Sequence, residues 1–355
     1  MKEIKVKDRV ISPDHPVYVI AEMAYSHDGS PEKASFIIRE AAKSHADAIS
    51  IHITSMQDYM VPHYGGGKGK VSAGKESNNM YSYLDSINLA FDAWGRLIPE
   101  AKALGIDVCV MCNDRASFDF VQDYDPDMYV ISASAFMEEE FVRVQARTKK
   151  PLILRVGGAH LGEIEKVILW AQEEGNNQQV LLFGLQNYPT AIDETHLSFL
   201  DTLRRTFSFQ VGLADHLDAD DPLSLIIPLL AIPYGATVIE KHITHNRGLK
   251  GEDFESALNP DELKMFVSYV RQVEKAIGSN NIQDFYSEME SYRQVARKRM
   301  VAACKINKDE ELTREKITFK RSDQGTFPDE LRYVLGRKVN TDINVNEPIT
   351  FEKLY

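Results

Sequence analysis

The chain has 355 residues, 43% of them hydrophobic, and a formal net charge of -12 at pH 7. A chain of this length can bury one large core and still form a small second domain. The acidic charge and the lack of a long Lys/Arg cluster argue against a nucleic-acid surface and favour small-molecule partners. No apolar run approaches the roughly 18 residues that span a bilayer, and the N-terminus lacks a signal-peptide stretch. We therefore expect a cytoplasmic protein that does not bind membranes.

Short, β-branched apolar runs alternate with segments of helical spacing along residues 17 to 277. The predicted strands are residues 17–21, 47–53, 106–112, 127–132, 151–156, 179–184, 208–213 and 236–242. Capping residues, Pro at a first turn and Gly at an end mark helices at 31–45, 160–175 and 259–277. This alternation predicts an α/β fold, a (β/α)8 TIM barrel, with a doubly wound open sheet as the alternative.

Polar residues stand where several predicted strands end. Glu240 and His242 share parity in the eighth strand, so both can point into the barrel, and His216 follows the seventh strand. Neighbouring strands lie about 4.8 Å apart, so the two histidines can share one metal ion. Glu22 and His27 end the first strand in the same way. Two imidazoles with one carboxylate suit an exchangeable Mn, Mg, Co or Zn ion acting as a Lewis acid; a hydrogen-bonded rim histidine is the structural alternative.

Three blocks of the sequence resemble the sialic acid synthase family, which includes the pseudaminic and legionaminic acid synthases. They are VIAEMAYSHDGSPEKA, VGLADH and GATVIEKHITHNRGLKGEDFESALNPDEL. Residues 296–355 resemble the small antifreeze-like (SAF) domain that follows the barrel in that family. The resemblance implies a catalytic barrel at 1–277, a linker at 278–295 and an SAF domain at 296–355.

The resemblance also implies a reaction. Family members condense phosphoenolpyruvate with the open-chain aldehyde of an N-acylated hexosamine, giving a nine-carbon 2-keto acid for surface-glycan biosynthesis and releasing phosphate. It implies a divalent metal, with Mn expected, held by His216 and His242, and a catalytic carboxylate at Glu22. A cation near the aldehyde oxygen suits this chemistry because negative charge develops there.

Further substrate contacts are implied by matching positions. Gln186 and Tyr188 stand at the end of the sixth strand, where family members contact their substrates, and Asp253 matches a residue that contacts the sugar. Family enzymes are domain-swapped homodimers in which the small domain contributes an arginine to the partner's sugar. Arg321 matches that arginine.

The chain departs from the family at the three-carbon site. Ser50 and Val130 stand where two lysines bind phosphoenolpyruvate in the family, and Met111 replaces a threonine at the third strand. Arg155 at the fifth strand and His52, two residues after Ser50, introduce other polar groups. We therefore expect Ser50, His52 and Arg155 to line this altered site.

Three hypotheses follow from these departures. In the first, phosphoenolpyruvate is still bound, through Arg155, His52, Arg115 and the Gly- and Lys-rich loop at 63–75. In the second, the enzyme is a metal-dependent aldolase or lyase whose donor substrate is a non-phosphorylated 2-keto acid. Arg155 would then bind the carboxylate of that acid through two parallel hydrogen bonds. In the third, the protein is a sugar-binding relative without catalysis.

Overall fold

The structure is a computed structural model that describes residues 2–62 and 79–355. The predicted Gly- and Lys-rich loop at 63–75 lies outside these residues. The chain divides into two compact units, one ending at Ile277 and the other spanning Gly278–Tyr355. Within the described residues, no helix is both long and apolar enough to cross a membrane.

The first unit is a closed barrel of eight parallel strands preceded by an antiparallel hairpin. The hairpin consists of β1 (Ile4–Val6) and β2 (Arg9–Ile11). The barrel strands are β3 (Tyr18–Glu22), β4 (Ala48–Ile53), β5 (Asp107–Cys112), β6 (Met128–Ile131), β7 (Leu152–Arg155), β8 (Gln179–Phe183), β9 (Gln210–Asp215) and β10 (Ala236–His242). β10 pairs with β3 and closes the sheet, which confirms the barrel and excludes the open sheet.

Helices surround the barrel. They are α1 (Pro31–Lys43), α2 (Met56–Tyr59), α3 (Met80–Ile87), α4 (Phe91–Ala103), α5 (Arg115–Val121), α6 (Glu139–Arg147), α7 (Leu161–Glu173), α8 (Phe199–Phe207) and α9 (Pro260–Ile277). The three helices marked in the sequence are confirmed as α1, α7 and α9. Ser30 caps α1 by accepting a hydrogen bond from the Lys33 amide, and Pro31 occupies the first turn.

The connection between β9 and β10 differs from the others. Two 3-10 helices, Pro222–Leu225 and Ile227–Tyr234, occupy the place where an α-helix would complete the pattern. Pro233 lies inside the second of these helices and lacks the backbone N–H that an α-helix needs in its interior. Pro233 therefore disfavours a regular α-helix here.

The inward-facing side chains are largely apolar inside the barrel, and a polar cluster lies at its mouth. Inward-facing residues such as Ile20, Met111 and Val130 form an inner core, and the β1–β2 hairpin packs against the same core. A second, larger core lies between the strands and the helices. At the carboxyl-terminal strand ends, inward positions of β3, β4, β7 and β10 carry Glu22, His52, Arg155 and Glu240 with His242, so a polar cluster lies at that end of the barrel.

The second unit has its own core. It contains α10 (Tyr286–Ala296), β11 (Lys298–Ala302), β12 (Ile317–Arg321) and α11 (Leu331–Val334). β11 and β12 pair antiparallel, and Met300, Ile317 and Val339 are among the residues that bury its core. The segment predicted as a linker, 278–295, belongs to this unit and contains most of α10.

The outward-facing side of the β9 and β10 ends contains a buried ion pair. Lys241 Nζ contacts Asp215 Oδ2 and donates a 3.2 Å hydrogen bond to the Ser224 carbonyl. Both charged side chains are at most 1% exposed. Asp215, which the sequence places beside His216 at a polar strand end, thus points away from the barrel mouth.

Replacing Lys241 by Met should lower the free energy of unfolding by about 3–5 kcal/mol, because Asp215 would be left buried without its partner. Denaturant unfolding followed by circular dichroism measures this. The control is Arg115→Met, which removes an exposed pair with Asp119 (2.7 Å) and should cost less than about 1 kcal/mol. Equal losses in the two variants would contradict the importance of the buried pair.

Candidate active site at the carboxyl-terminal ends of the strands

A buried charged cluster crosses the barrel mouth. Arg155 at the end of β7 places Nη2 3.0 Å from Glu22 Oε2 on β3 and 2.7 Å from Glu240 Oε1 on β10. His52 on β4 places Nε2 3.2 Å from Glu22 Oε1. The side chains of Arg155, Glu22 and Glu240 are at most 5% exposed. One guanidinium therefore links two carboxylates from the opposite wall of the barrel.

The two carboxylates differ in protonation. Burial favours a raised pKa for Glu22, but His52 and Arg155, with a smaller effect of His242, hold the pKa of Glu22 well below its usual value. Burial raises the pKa of Glu240 to about 8 against the pull of Arg155, and the charge of Glu22 adds to the rise. The surroundings therefore favour the ionised form of Glu22 and the protonated form of Glu240.

His216 and His242 lie side by side next to this cluster. Their ring centroids are 5.1 Å apart, and each side chain is buried. Tyr188 packs edge-on against both rings, with centroid distances of 5.1 Å to His216 and 5.6 Å to His242. Burial lowers the pKa of His242 to about 3 and that of His216 well below its usual value. Both imidazoles are neutral, the form that binds metals.

The histidine pair fits a shared metal ion. None of the four ring nitrogens of His216 and His242 has a hydrogen-bond partner in the described structure, although all are buried. Buried polar atoms are normally paired, so this arrangement points to a missing ligand. In the described part of the chain, no group of three or more His, Cys, Asp or Glu side chains could hold a metal. The ion would take two protein ligands and leave its other positions to water or substrate.

Three other predicted site residues lie at the same end of the barrel. Ser50 is buried beside Glu22 in the β3–β4 register, and its hydroxyl has no hydrogen-bond partner in the described structure. Asp253 is buried in the loop after β10. Burial raises the pKa of Tyr188. The negative charge of Asp253 raises this pKa further, so the two side chains interact electrostatically.

Gln186 and His27 do not join the cluster, and Arg321 belongs to the second unit. Gln186 is exposed in the loop after β8. Arg321 is exposed in the second unit, where Nη2 donates a 3.0 Å hydrogen bond to the Val295 carbonyl. His27 packs edge-on against Trp94 with a centroid distance of 5.6 Å, and its Nδ1 accepts a hydrogen bond from the Gly29 amide.

Two residues of the site received no role from the sequence. Glu240 was expected to point inward, and its parity with His242 was the available signal, but its contact with Arg155 was not foreseen. Tyr25 packs edge-on against His52 with centroids 5.8 Å apart, and its hydroxyl hydrogen-bonds Thr54 Oγ1 at 2.7 Å. No sequence pattern marked Tyr25, because it lies on the irregular segment after β3.

The β4–β7 side of the mouth has few positive charges. Ser50, Met111 and Val130 are buried and uncharged. Among the inward-facing positions of the eight described barrel strands, Arg155 is the sole Lys or Arg. The described wall can therefore offer one strong, preorganised anion contact.

Comparison with known proteins places this geometry in a family. The sequence model of the NeuB family matches residues 37–282, and that of the SAF domain matches residues 300–354. A pseudaminic acid synthase of Campylobacter jejuni is 30% identical over 95% of this chain and 96% of the relative. An uncharacterized protein of Methanocaldococcus jannaschii is 27% identical over 100% of this chain and 99% of its own length.

A solved structure supports the fold. The N-acetylneuraminic acid synthetase of Leptospira borgpetersenii superposes with a TM-score of 0.71 and 24% identity, covering 82% of this chain and 96% of that one. Family match, SAF domain and barrel together confirm the resemblance read from the sequence. The chain belongs to the NeuB family of sialic-acid-type synthases and carries a C-terminal SAF domain.

Proposed function

We propose that the protein is a nonulosonic acid synthase that condenses phosphoenolpyruvate with the aldehyde of an N-acylated sugar. The methylene carbon of the donor forms a bond to the aldehyde carbon, the aldehyde oxygen takes a proton, and water provides the oxygen of the new keto group as phosphate leaves. The observation that carries this proposal is the buried, unpaired histidine pair beside an ionised carboxylate and a guanidinium. The relatives named as synthases support the same class.

The side chains divide the work between the two substrates. A divalent ion, Mn by preference, held by His216 and His242 would supply Lewis acidity at the aldehyde oxygen. Arg155 binds the carboxylate of the three-carbon acid through its planar fork. Glu240 carries a proton near pH 7 and can release it within the site.

The remaining predicted residues bind and orient. Asp253 accepts hydrogen bonds from sugar hydroxyls, and Tyr188 covers the two imidazoles and excludes water. Ser50 and His52 line the three-carbon side next to Glu22. The ionised Glu22 contacts both Arg155 and His52 and so holds these two side chains in place.

A second candidate function has a specific observation in its favour. A 2-keto acid has one carboxylate and no phosphate, and Arg155 alone can satisfy it. No positive charge is then needed at Ser50 and Val130, the positions where the family has its two lysines. In this version the enzyme is an aldolase or lyase that uses the same histidine pair and a keto acid such as pyruvate.

One assay separates the two functions. Purified protein with Mn is incubated with a panel of N-acylated hexosamines and either phosphoenolpyruvate or pyruvate, and product mass and free phosphate are measured. Sugar-dependent phosphate release with a product three carbons longer than the sugar supports the synthase. Product formed from pyruvate, without use of phosphoenolpyruvate, supports the aldolase. No product from either donor would contradict both.

Replacing His216 or His242 by Ala should lower turnover at least about 100-fold, because the metal's charge stabilisation is lost. The same variants should lose the rise in melting temperature that Mn gives the unmodified protein. His45→Asn, at an exposed position on the opposite end of the barrel, is the matched control and should keep both properties. Activity and Mn stabilisation retained in both alanine variants would remove the metal role.

We also propose that a second copy of the chain covers an exposed apolar face of the C-terminal unit. Ile282, Phe285, Met289 and Tyr292 are 40–75% exposed and recur every three or four residues along this segment. A contiguous apolar face of this kind is typical of an interface. The family resemblance makes the occupant a second copy, in a domain-swapped homodimer in which Arg321 contacts the partner's sugar.

The double variant Met289→Lys, Tyr292→Lys should convert the dimer to a monomer, because each chain would bury two charges in the interface. Light scattering after size exclusion measures the mass, and circular dichroism checks the fold. Ser287→Lys, on another face of α10, should leave the mass unchanged. An unmodified protein that is monomeric at assay concentrations would contradict the proposal.

A further inference from the structure

Three connections at the barrel mouth meet around Glu252. They are the loop after β3, the loop after β10, and α3, which lies in the long excursion between β4 and α4. The Tyr83 hydroxyl on α3 donates a 2.6 Å hydrogen bond to Glu252 Oε2. The Glu252 amide donates to Asp28 Oδ1 at 3.2 Å, and the Ser26 hydroxyl donates to the Glu252 carbonyl at 3.3 Å. Glu252 is thus held by both of the other connections.

The packing at this junction is tight. A Cβ at Gly251 would lie 2.4 Å from Asp28 Oδ1, so no side chain fits there without movement. A Cβ at Gly29 would lie 3.2 Å from the Ile87 Cα at the end of α3, and Gly29 has a φ of +76°. Gly29 lets the backbone of the loop after β3 approach the backbone of α3, and Gly251 leaves room for the Asp28 carboxylate. α3 and the two loops therefore form one packed assembly rather than three independent loops.

Asp253, the next residue, has an unusual backbone conformation. Its φ is +57°, in the left-handed region, and its side chain is buried. This conformation costs a non-glycine residue on the order of 1 kcal/mol. Such residues persist only where the surrounding structure holds them. The contacts of Glu252 supply that support one residue away.

We propose that Tyr83 is a positioning residue that fixes Glu252 and thereby turns Asp253 toward the sugar. This inference rests on the proposed function, in which Asp253 contacts the sugar. It adds a specificity role for α3, which contacts the loop that carries Asp253. Tyr83 contacts Glu252, whereas Arg155, on the proposed three-carbon side, contacts Glu22 and Glu240.

Tyr83→Phe removes the hydroxyl and keeps the aromatic ring at this position of α3. A hydrogen bond to a carboxylate is worth about tenfold or more in an equilibrium constant, so KM for the sugar should rise roughly tenfold. KM for the three-carbon acid should change less than about twofold, because its contacts are elsewhere. Tyr81→Phe is the matched control, since a residue two positions earlier lies on another face of α3.

The measurement combines kinetics with hydrogen exchange. Initial rates are recorded while either the best N-acylated hexosamine of the panel or the three-carbon acid is varied. Exchange of the amides at 252–256 is followed in the free protein by mass spectrometry, which needs no substrate. These amides should exchange about tenfold faster in Tyr83→Phe than in Tyr81→Phe.

A double variant tests the route of the effect. If Tyr83 acts through Glu252, Tyr83→Phe combined with Glu252→Gln should be no worse than the more affected single variant. Fully additive losses would overturn that route. Unchanged exchange at 252–256 in Tyr83→Phe would overturn the positioning role.

The comparison of the two KM values tests the role of Tyr83 in sugar specificity. An unchanged KM for the sugar, or equal changes for both substrates, would overturn the specificity role even if exchange increases. If the unmodified enzyme turns over no sugar, the proposed function fails, and with it the role in sugar binding. The exchange measurement then still decides whether Tyr83 holds the loop.

Discussion

The contacts of Arg155 with Glu22 and Glu240 are the constraint on which the site depends. Removing a charge from water costs several kcal/mol, and only well-placed partners offset that cost. The three side chains come from β7, β3 and β10, so the barrel must hold opposite walls at a fixed separation. A closed sheet packed from inside and outside provides that rigidity. The apolar layers below the mouth therefore position these three side chains as well as stabilising the fold.

The same contacts set the charge of the mouth. Arg155 and the ionised Glu22 neutralise one another, and Glu240 keeps a proton near pH 7. An incoming carboxylate can then share the guanidinium without meeting two negative charges. The neutral imidazoles of His216 and His242 lie beside this balanced cluster and remain available as ligands. In the proposed function, the anion would bind at Arg155 and the metal ion at the neighbouring histidine pair.

Sequence periodicity predicted the barrel well because buried strands and amphipathic helices have distinct periods. Parity also placed Glu240 and His242 on an inward face, and the position of Glu22 at the end of the first strand placed it at the mouth. The link from Arg155 to Glu22 could not be predicted, because β7 lies across the barrel from β3 and parity does not tell how far a side chain reaches. The contact of Tyr83 with Glu252 joins residues 169 positions apart through irregular segments, where no periodic signal exists. The roles of Gln186 and Arg321 came from family resemblance alone, and the geometry of the described chain does not test them.

The most direct test of this account is calorimetric titration of phosphoenolpyruvate and pyruvate into the unmodified protein and Arg155→Lys. Lysine keeps the charge beside Glu22 and Glu240 but loses the planar fork. Arg205→Lys, at an exposed position on α8, is the matched control. The account predicts that whichever acid binds will bind roughly tenfold or more weakly to Arg155→Lys, with Arg205→Lys unchanged. Equal affinity of the unmodified protein and Arg155→Lys would show that the anion binds elsewhere.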